Sequence, residues 1–278
     1  MKHYFRLIRP RILALVLLAT AAAAFSTGDY PPSSSVLGHL LLGTGLVVAG
    51  AVAMNARLEL RSDAMMARTA DRPLPAGKIT ERQAVVFGWL ATGAGLGYLA
   101  FFGNGTLFAL AAVSWAIYVG LYTPLKSRSA WQTPVGAVAG AMPVLLGATA
   151  VDAAWRVEAW VLFGIVVLWQ LPHAMAIAWL YRHQFAAAGV KLAPSVDPSG
   201  RLAGAIALLG AGLLLPLSLA PWVLTASDGL GTILAGVLGT GYFLAALLFT
   251  VRRTDWTARW LLRASLVYLP ALLGLVLL

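Results

Sequence analysis

Three oxygen-bearing side chains stand four residues apart, directly after a long apolar run. Asn55, Glu59 and Asp63 follow the segment LLLGTGLVVAGAVAM. At about 100° per residue, positions i, i+4 and i+8 drift by about 80°, so one helix would hold all three side chains on one face. Two carboxylates and an amide are oxygen ligands of the kind that Mg²⁺ takes, and bound Mg²⁺ bridges to phosphate oxygens. The spacing indicates a magnesium site at the end of a helix; the alternative is a solvated, charge-balanced loop.

Four arginines accompany these positions. Arg57 and Arg61 fall near the opposite helix face, where we expect them to meet lipid head groups. Arg68 and Arg72 follow in the segment ARTADRPLPAGK, whose two prolines must end the helix. A loop there can fold back and aim both guanidinium groups at an anion that the metal bridges. Arg suits phosphate because it donates bidentate hydrogen bonds.

A second polar cluster ends a later apolar run, in GLYTPLKSRSAWQTPVG. Tyr122 and Lys126 stand four residues apart with Pro124 between them, so we expect the helix to be interrupted there. A phenol hydroxyl and an ammonium group can both serve an anion held at the membrane boundary. The alternative is a Tyr and a Lys that anchor a span at the interface.

A third polar cluster is WQLPHAMAIAWLYRHQF. Gln170, His173 and Gln184 fall within about 60° of one another on a helix, which Pro172 bends. A histidine inside a span is a candidate haem or metal ligand. The alternative is a histidine hydrogen-bonded to a neighbouring helix.

Membrane-spanning helices are the elements that must position these residues. Of 278 residues, 60% are hydrophobic and 11% charged, and the mean hydropathy is +0.82; a soluble domain carries about 25% charged residues. Because backbone groups in lipid must bond internally, we predict an all-α integral membrane protein with one domain, residues 1–278. The absence of cysteine excludes disulfides and thiolate metal sites. Nine spans of sufficient length are predicted, at about residues 12–27, 36–54, 84–102, 105–122, 132–150, 158–181, 203–223, 229–250 and 262–278.

Basic residues are distributed unequally between the two sides of these spans. All of the 20 Lys and Arg residues except Arg156 fall on one side, and the breaks STGDYPPSSS, FGNG and TASDGLG on the other side carry none. Cytoplasmic loops carry such an excess of positive charge. We therefore predict a multi-pass protein of the bacterial cytoplasmic membrane, with its N-terminus and polar clusters facing the cytoplasm. The basic pI of about 10.4 follows from this asymmetry and does not indicate nucleic-acid binding.

Six segments together resemble the UbiA-type intramembrane prenyltransferases. RPRI precedes the first span, and the Asn-Glu-Asp series continues into M-x-R-T-x-x-R-P-L-x-x-G. YTPLKSRSAWQTPVGAVAGAMPVLLGATA, WQLPHAMAIAW, AGVKLAPSVDPSG and ARWLLRASLVYLPALL are similar to the branch of that family that prenylates haem. The segments occur in the family's order from about residue 9 to the C-terminus.

The resemblance implies nine transmembrane helices around a central cavity, in which a farnesyl group passes from farnesyl diphosphate to a vinyl carbon of haem B. It implies Mg²⁺ as cofactor and the bilayer as surroundings, with haem A synthase or an oxidase-assembly protein as a further partner. An acceptor of the quinone type, or a non-catalytic carrier of haem or isoprenoid, is the alternative. The resemblance implies that Asn55, Glu59 and Asp63 are the metal ligands and that they act in catalysis together with Tyr122 and Lys126. The diphosphate-binding residues are then Arg9, Arg68, Arg72, Lys126 and Lys191. His173 matches the family's Pro-His motif and is placed on the haem side, together with Gln170 and His183.

The sequence departs from the family after the sixth span. The family has an acidic pair followed by an aromatic residue there, whereas this chain has His183, Gln184 and Phe185. Asp197 is the acid of that loop, and its distance along the chain leaves open whether it reaches the site. One metal can suffice, His183 can serve as ligand or donor, or the protein has another substrate or no activity.

Overall fold

The computed structural model describes residues 2–224 and 229–277, and all regular structure among them is helical. Eight helices are long and apolar enough to cross a membrane, which confirms the all-α integral membrane class. The principal helices are α2 (Pro10–Thr27), α3 (Ser34–Leu58), α5 (Glu81–Phe102), α6 (Gly105–Trp115), α8 (Gln132–Thr149), α9 (Val157–Leu180), α12 (Arg201–Leu224), α13 (Gly229–Arg252) and α14 (Asp255–Val276). Shorter helices are α1 (Lys2–Leu7), α4 (Leu60–Met65), α7 (Thr123–Leu125), α10 (Arg182–Ala187) and α11 (Ala193–Val196), and a π-helical segment, Ala116–Tyr122, joins α6 to α7.

Each predicted span corresponds to one long helix of the described chain. The fifth, α8, lies outside the eight strongly apolar helices because Gln132, Thr133 and Thr149, together with its prolines and glycines, lower its mean hydropathy. The last helix begins at Asp255, well before the predicted residue 262, because Thr254 and Thr257 form a capping box. The break TASDGLG lies partly outside the described residues. The count of nine spans, the central cavity and the side of the N-terminus stay predictions.

The helices pack as two groups that meet along α8, α9 and α2. Helices α2, α3, α5, α6 and α8 form one group, and α9, α12, α13 and α14 form the other. The largest buried apolar cluster lies in the second group, around Trp169, Tyr242 and Leu272. Polar loops and short helices cover one end of the bundle, where the acidic and basic residues identified above are gathered.

Glycines allow α3 and α5 to approach each other closely, and α3 carries the first residue of the acidic series. Gly43 and Gly50 on α3 face Gly88 and Gly95 on α5, with the same seven-residue spacing on both helices. A Cβ added at Gly50 would lie 2.7 Å from the backbone oxygen of Gly88, and one at Gly95 would lie 2.7 Å from the nitrogen of Val47. Small residues stabilise membrane helix pairs because backbones can then touch.

Replacing Gly50 by Ala is expected to lower the melting temperature of the detergent-solubilised protein, because the facing backbone cannot give way. Overpacking of this kind costs about 1–3 kcal/mol. Gly93 on α5 is the matched control, since nothing lies within 4 Å of a Cβ added there. The Gly93→Ala variant should keep or slightly raise stability, because Ala favours helix more than Gly. Equal melting temperatures for the two variants would contradict the close contact.

Candidate active site

The acidic series is carried by two helices that meet at Glu59. Helix α3 ends at Leu58, Glu59 adopts φ −90° and ψ 3°, and α4 then carries Asp63. The Glu59 N–H still donates to the Asn55 carbonyl at 2.9 Å, and the Asp63 N–H donates to the Glu59 carbonyl at 2.8 Å. The i to i+4 connection therefore persists through the break, and it keeps the three side chains together.

Helix α4 ends well before Pro73 and Pro75, the residues predicted to end it. Its last residue is Met65, and the Thr69 hydroxyl donates to the Asp63 carbonyl at 2.7 Å. A side-chain donor that takes a helical carbonyl competes with continued helix, so the chain turns before Pro73 is reached. The prediction that the prolines end the helix is wrong. The early turn brings Arg72 back towards the carboxylates.

Three cations hold the two carboxylates. Lys126 Nζ donates to Glu59 Oε1, and Arg72 Nη1 donates to Asp63 Oδ2 at 2.6 Å. Arg9 Nη2 lies between them, 3.6 Å from Glu59 Oε2 and 3.8 Å from Asp63 Oδ2. The Asp63 side chain is 3% exposed and that of Glu59 is 11% exposed. The predicted residues from three distant stretches of chain therefore form one nearly buried charge cluster.

Arg9 reaches the cluster from an unusual backbone conformation. Its φ of 51° and ψ of 70° lie in the left-handed region, directly before Pro10 and the start of α2. Such a conformation is uncommon for a residue with a side chain and persists where the surroundings enforce it. Its Nη2 atom is buried and has no hydrogen-bond partner among the described residues. Arg9 thus holds a spare donor beside the carboxylates.

Asn55 contributes a spare acceptor to the same place. Its Nδ2 donates to the Thr123 hydroxyl at 3.0 Å, and that hydroxyl donates to the Tyr118 carbonyl at 2.8 Å. The Asn55 Oδ1 atom is buried and lacks a hydrogen-bond partner within the described part of the chain. A buried acceptor without a partner is costly, and a cation would satisfy it. Asn55, Glu59 and Asp63 thus fit a hard divalent cation, which phosphate oxygens and water would complete.

The π-helical segment Ala116–Tyr122 presents two tyrosines to this cluster. The ring centres of Tyr118 and Tyr122 are 5.4 Å apart, and Lys126 Nζ lies 4.3 Å from the centre of the Tyr122 ring. The chain stays helical through Pro124 to Leu125, so the predicted interruption is wrong. Its place is taken by the wider π turn, a feature that is frequent at functional sites. Tyr118 was not predicted, although its position four residues before Tyr122 was a usable signal.

The local charges set the ionisation of the cluster. Burial opposes ionisation of Glu59, but the positive charges of Lys126 and Arg9 outweigh it and hold the pKa of Glu59 below its usual value. Burial together with the charge of Arg9 lowers the pKa of Arg72, and its pairing with Asp63 limits that effect. The charge of Arg68 lowers the pKa of Arg72 further, so the arginines share one field.

Arg68 lies on aromatic rings at the opposite edge of the cluster. Its guanidinium carbon is 4.9 Å from the ring centre of Tyr181 and 5.6 Å from that of Phe185. The Arg68 N–H donates to Gln184 Oε1 at 3.5 Å, and His183 beside it is exposed. Gln184 lies on α10, after α9 has ended at Leu180, so the prediction that it shares one helix with His173 is wrong.

The loop after α10 supplies backbone contacts and no metal ligand. The Lys191 N–H donates to the Lys126 carbonyl at 2.7 Å, and Gln132 Nε2 donates to the Lys191 carbonyl at 3.1 Å. The Lys191 side chain is exposed. Both Asp197 oxygens accept hydrogen bonds, from Ser199 at 3.0 and 2.6 Å and from the Leu202 N–H at 2.8 Å, at the start of α12. Asp197 is therefore a structural acceptor, and the residues present do not fit a second metal.

The predicted haem-side residues take part in contacts between helices. His173 Nδ1 lies 2.7 Å from Ser265 Oγ on α14, and its ring stacks on Trp169 with centres 4.9 Å apart. Gln170 Nε2 donates to the Ala137 carbonyl on α8 at 3.0 Å. The structure does not bring these residues together with His183, whose side chain is exposed on α10. Their assignment to haem stays a prediction.

The two arginines expected to meet lipid do not behave alike. Arg57 Nε lies 2.6 Å from Glu81 Oε2 at the start of α5, and its side chain stays 42% exposed, so its contact with head groups stays a prediction. The acid at the beginning of the neighbouring helix provides a partner that the local pattern did not reveal. Arg61 lines a cavity of about 290 Å³ beside this pair, apart from the charge cluster.

Comparisons with known proteins show the family and the fold. Residues 15–269 match the model of the UbiA prenyltransferase family. The chain belongs to the UbiA prenyltransferase family. Its UbiA relatives include a protoheme IX farnesyltransferase of Rhodopirellula baltica, 40% identical over 96% of both chains. Another, of Solibacter usitatus, is 37% identical and covers 100% of this chain and 98% of its own.

Solved UbiA structures share the fold. A digeranylgeranylglyceryl phosphate synthase superposes with a TM-score of 0.83 at 17% identity, over 99% of this chain and 96% of the other. A UbiA homologue from Archaeoglobus fulgidus bound to GPP and Mg²⁺ superposes with a TM-score of 0.69 at 16% identity, over 99% of both chains. The helical arrangement of this chain is therefore the UbiA fold.

The Glu59 interactions should make stability depend on pH in a defined direction. Since the pKa of Glu59 is lowered on folding, its contribution is complete above the unfolded value of 4.5 and is lost as pH falls through the lower folded value. Glu59→Gln leaves Lys126 buried without its anion, which costs about 3 kcal/mol. We expect the difference in melting temperature between wild type and Glu59→Gln to be largest at pH 6–7, an interval chosen about two units above that value, and to shrink towards pH 4.

The exposed pair of Arg57 with Glu81 provides the control for this measurement. Glu81→Gln removes a carboxylate whose side chain is 51% exposed, and exposed pairs contribute about 0–1 kcal/mol. Its melting temperature should follow that of wild type across the pH range. A Glu59→Gln difference that grows on acidification would contradict the assigned direction.

Proposed function

We propose that this protein transfers a farnesyl group from farnesyl diphosphate to a vinyl carbon of haem B. The C–O bond to diphosphate breaks, a C–C bond to the vinyl carbon forms, and water adds at the neighbouring carbon. The observation that carries the proposal is the buried cluster in which Arg9, Arg72 and Lys126 surround Glu59 and Asp63. The full-length relatives named protoheme IX farnesyltransferase support the choice of substrates.

The cluster can accept a diphosphate because its cations are already gathered and partly uncommitted. Arg9 Nη2 is buried without a hydrogen-bond partner in the described chain, and it is directed at the carboxylates. Preorganised donors stabilise the charge that develops on a leaving group, since they need no rearrangement during the reaction. If Glu59 and Asp63 held a divalent cation, Arg72 and Lys126 would be free to bind the diphosphate together with Arg9.

Mg²⁺ held by Asn55, Glu59 and Asp63 would supply additional positive charge for the departing diphosphate. Solved UbiA homologues contain Mg²⁺ together with a prenyl diphosphate, which supports the use of a divalent metal here. This chain orients its part of the site through the Asn55 amide, which Thr123 fixes. Asn55 Oδ1 is thereby directed away from Thr123 and stays available.

The surroundings suit a short-lived prenyl cation. Water must be kept from such a cation, and the apolar helices above the cluster provide that exclusion. The faces of Tyr118 and Tyr122 lie at the same level as Lys126, and aromatic faces attract cations. We assign His173 to the haem side because it matches the family's Pro-His motif, and we propose that Gln170 and His183 act on the same side.

The decisive assay combines purified protein in liposomes with farnesyl diphosphate, haem B and Mg²⁺, and detects haem O by mass spectrometry. Asp63→Asn should lower product formation by about 100-fold, because it removes a charged ligand of the cation that would stabilise the departing diphosphate, and losing one such stabilising contact has this size of effect. Chelation of Mg²⁺ should abolish the product. Glu81→Gln, which alters an exposed pair on the far side of α3, should retain full activity.

Other outcomes of this assay identify the alternatives. If diphosphate release requires Asp63 but the farnesyl group is transferred to a quinone-type acceptor, the protein is a prenyltransferase of different specificity. Haem binding without diphosphate release would show a carrier. Product formation unchanged by Asp63→Asn would contradict the proposed site.

We further propose that the site faces the cytoplasm of a bacterial cell and that the product passes to haem A synthase or an oxidase-assembly protein. The side of the membrane can be tested by cysteine labelling. Because the chain has no cysteine, a single introduced cysteine is the only residue that a maleimide would label. Ser127 lies on the polar end of the bundle and Ser34 at the opposite end of α3, and both are exposed. A membrane-impermeant maleimide should label Ser34→Cys in intact spheroplasts. It should label Ser127→Cys only after the spheroplasts are lysed. The reverse pattern would invert the topology.

A further inference from the structure

One edge of the charge cluster has aromatic rings and an amide where the family motif has an acidic pair. His183 is exposed, Gln184 accepts from a backbone N–H, and Phe185 is buried against Met66 and Val190. Asp197 is occupied in capping α12. This edge therefore offers no free carboxylate to a second divalent cation.

Arg68 occupies this edge in a defined position. Its guanidinium lies over the rings of Tyr181 and Phe185, and its backbone N–H contacts Gln184. No ion pair joins Arg68 to an acid among the described residues, in contrast to Arg72 on Asp63. Aromatic faces hold a guanidinium in place while leaving its N–H groups free to donate in the ring plane. Arg68 is thus a positioned and uncommitted phosphate donor.

Electrostatics explains why this arrangement is viable. A divalent cation with two carboxylates is neutral as a unit, so losing both acids together with the ion leaves the net charge of the site unchanged. What the site loses is a set of contacts to the phosphate oxygens on that edge. Arg68, which lies in the segment that matches the family motif, can make contacts on that edge without a second cation, because a guanidinium donates bidentate hydrogen bonds to phosphate.

We propose that this chain binds the prenyl diphosphate with one divalent cation, on Asn55, Glu59 and Asp63, and that Arg68 on its aromatic support binds the diphosphate at the edge where a second cation would lie. This inference rests on the proposed function. Tyr181 and Phe185 are positioning residues, since they act through Arg68.

The first test counts metal ions. Purified protein is titrated with Mn²⁺ in the presence of farnesyl thiodiphosphate, and bound Mn²⁺ is measured by electron paramagnetic resonance. Wild type should bind one Mn²⁺ per chain. The double variant His183→Glu with Gln184→Asp restores the acidic pair and should bind two. Two ions on wild type, or one on the double variant, would overturn the inference.

The second test measures the affinity for farnesyl thiodiphosphate with Mn²⁺ present. Arg68→Ala should raise Kd by about tenfold or more, the effect of losing a charged hydrogen bond. Arg68→Lys keeps the charge without the fork and should recover part of that loss. Phe185→Leu should weaken binding less than Arg68→Ala, and in the Arg68→Ala background it should have no further effect. Arg61→Ala, which changes an exposed arginine outside the cluster, is the control and should bind as wild type does.

The outcomes separate this inference from the proposed function. Tight binding of the thiodiphosphate that is unaffected by Arg68→Ala would overturn the role of Arg68 and leave the prenyl-diphosphate site intact. Absence of thiodiphosphate binding by wild type would overturn both. An equal loss in Arg68→Ala and Arg61→Ala would reduce the effect to general positive charge and overturn the specific role.

Discussion

Mutual neutralisation of buried charges at one end of an apolar bundle is the constraint on which the rest of the site depends. Isolated burial of Glu59 or Asp63 would cost several kcal/mol, and each is retained because cations stand beside it. Those cations come from the segment before α2, from the turn after α4 and from the end of α7. The charges therefore fix where three separate parts of the chain meet, and they keep phosphate-binding groups assembled.

The sequence predicts those features of the structure that depend on residues close together in the chain. Long apolar runs are helices because the backbone must bond internally, and Asn55, Glu59 and Asp63 share a face because the i to i+4 bonds persist across the break. Contacts between residues far apart in the chain could not be predicted from the spacing of residues. Nothing near Lys126 in the sequence indicates that its partner is Glu59, 67 residues away. The conformation of Arg9 likewise depends on the packed surroundings rather than on its neighbours.

The elements that carry the two edges of the cluster differ in how tightly they are packed. The Asn55 edge stands on α3, which glycines hold tightly against α5. The Arg68 edge stands on the turn after the short helix α4, where aromatic contacts replace helical packing. A metal requires ligands at fixed distances, whereas a guanidinium tolerates small shifts of its partner. The distribution of oxygen ligands and arginine in this chain follows that difference.

The wide turn at Ala116–Tyr122 makes the length of this helix matter more than its composition. One residue of an α-helix rotates the chain by about 100°, and a π turn accommodates extra residues without ending the helix. Deleting a single residue here would let the turn relax and would swing Lys126 around the helix axis, away from Glu59. Over evolutionary time, this stretch can exchange most of its lipid-facing side chains, but a one-residue insertion or deletion would put the whole downstream face out of phase.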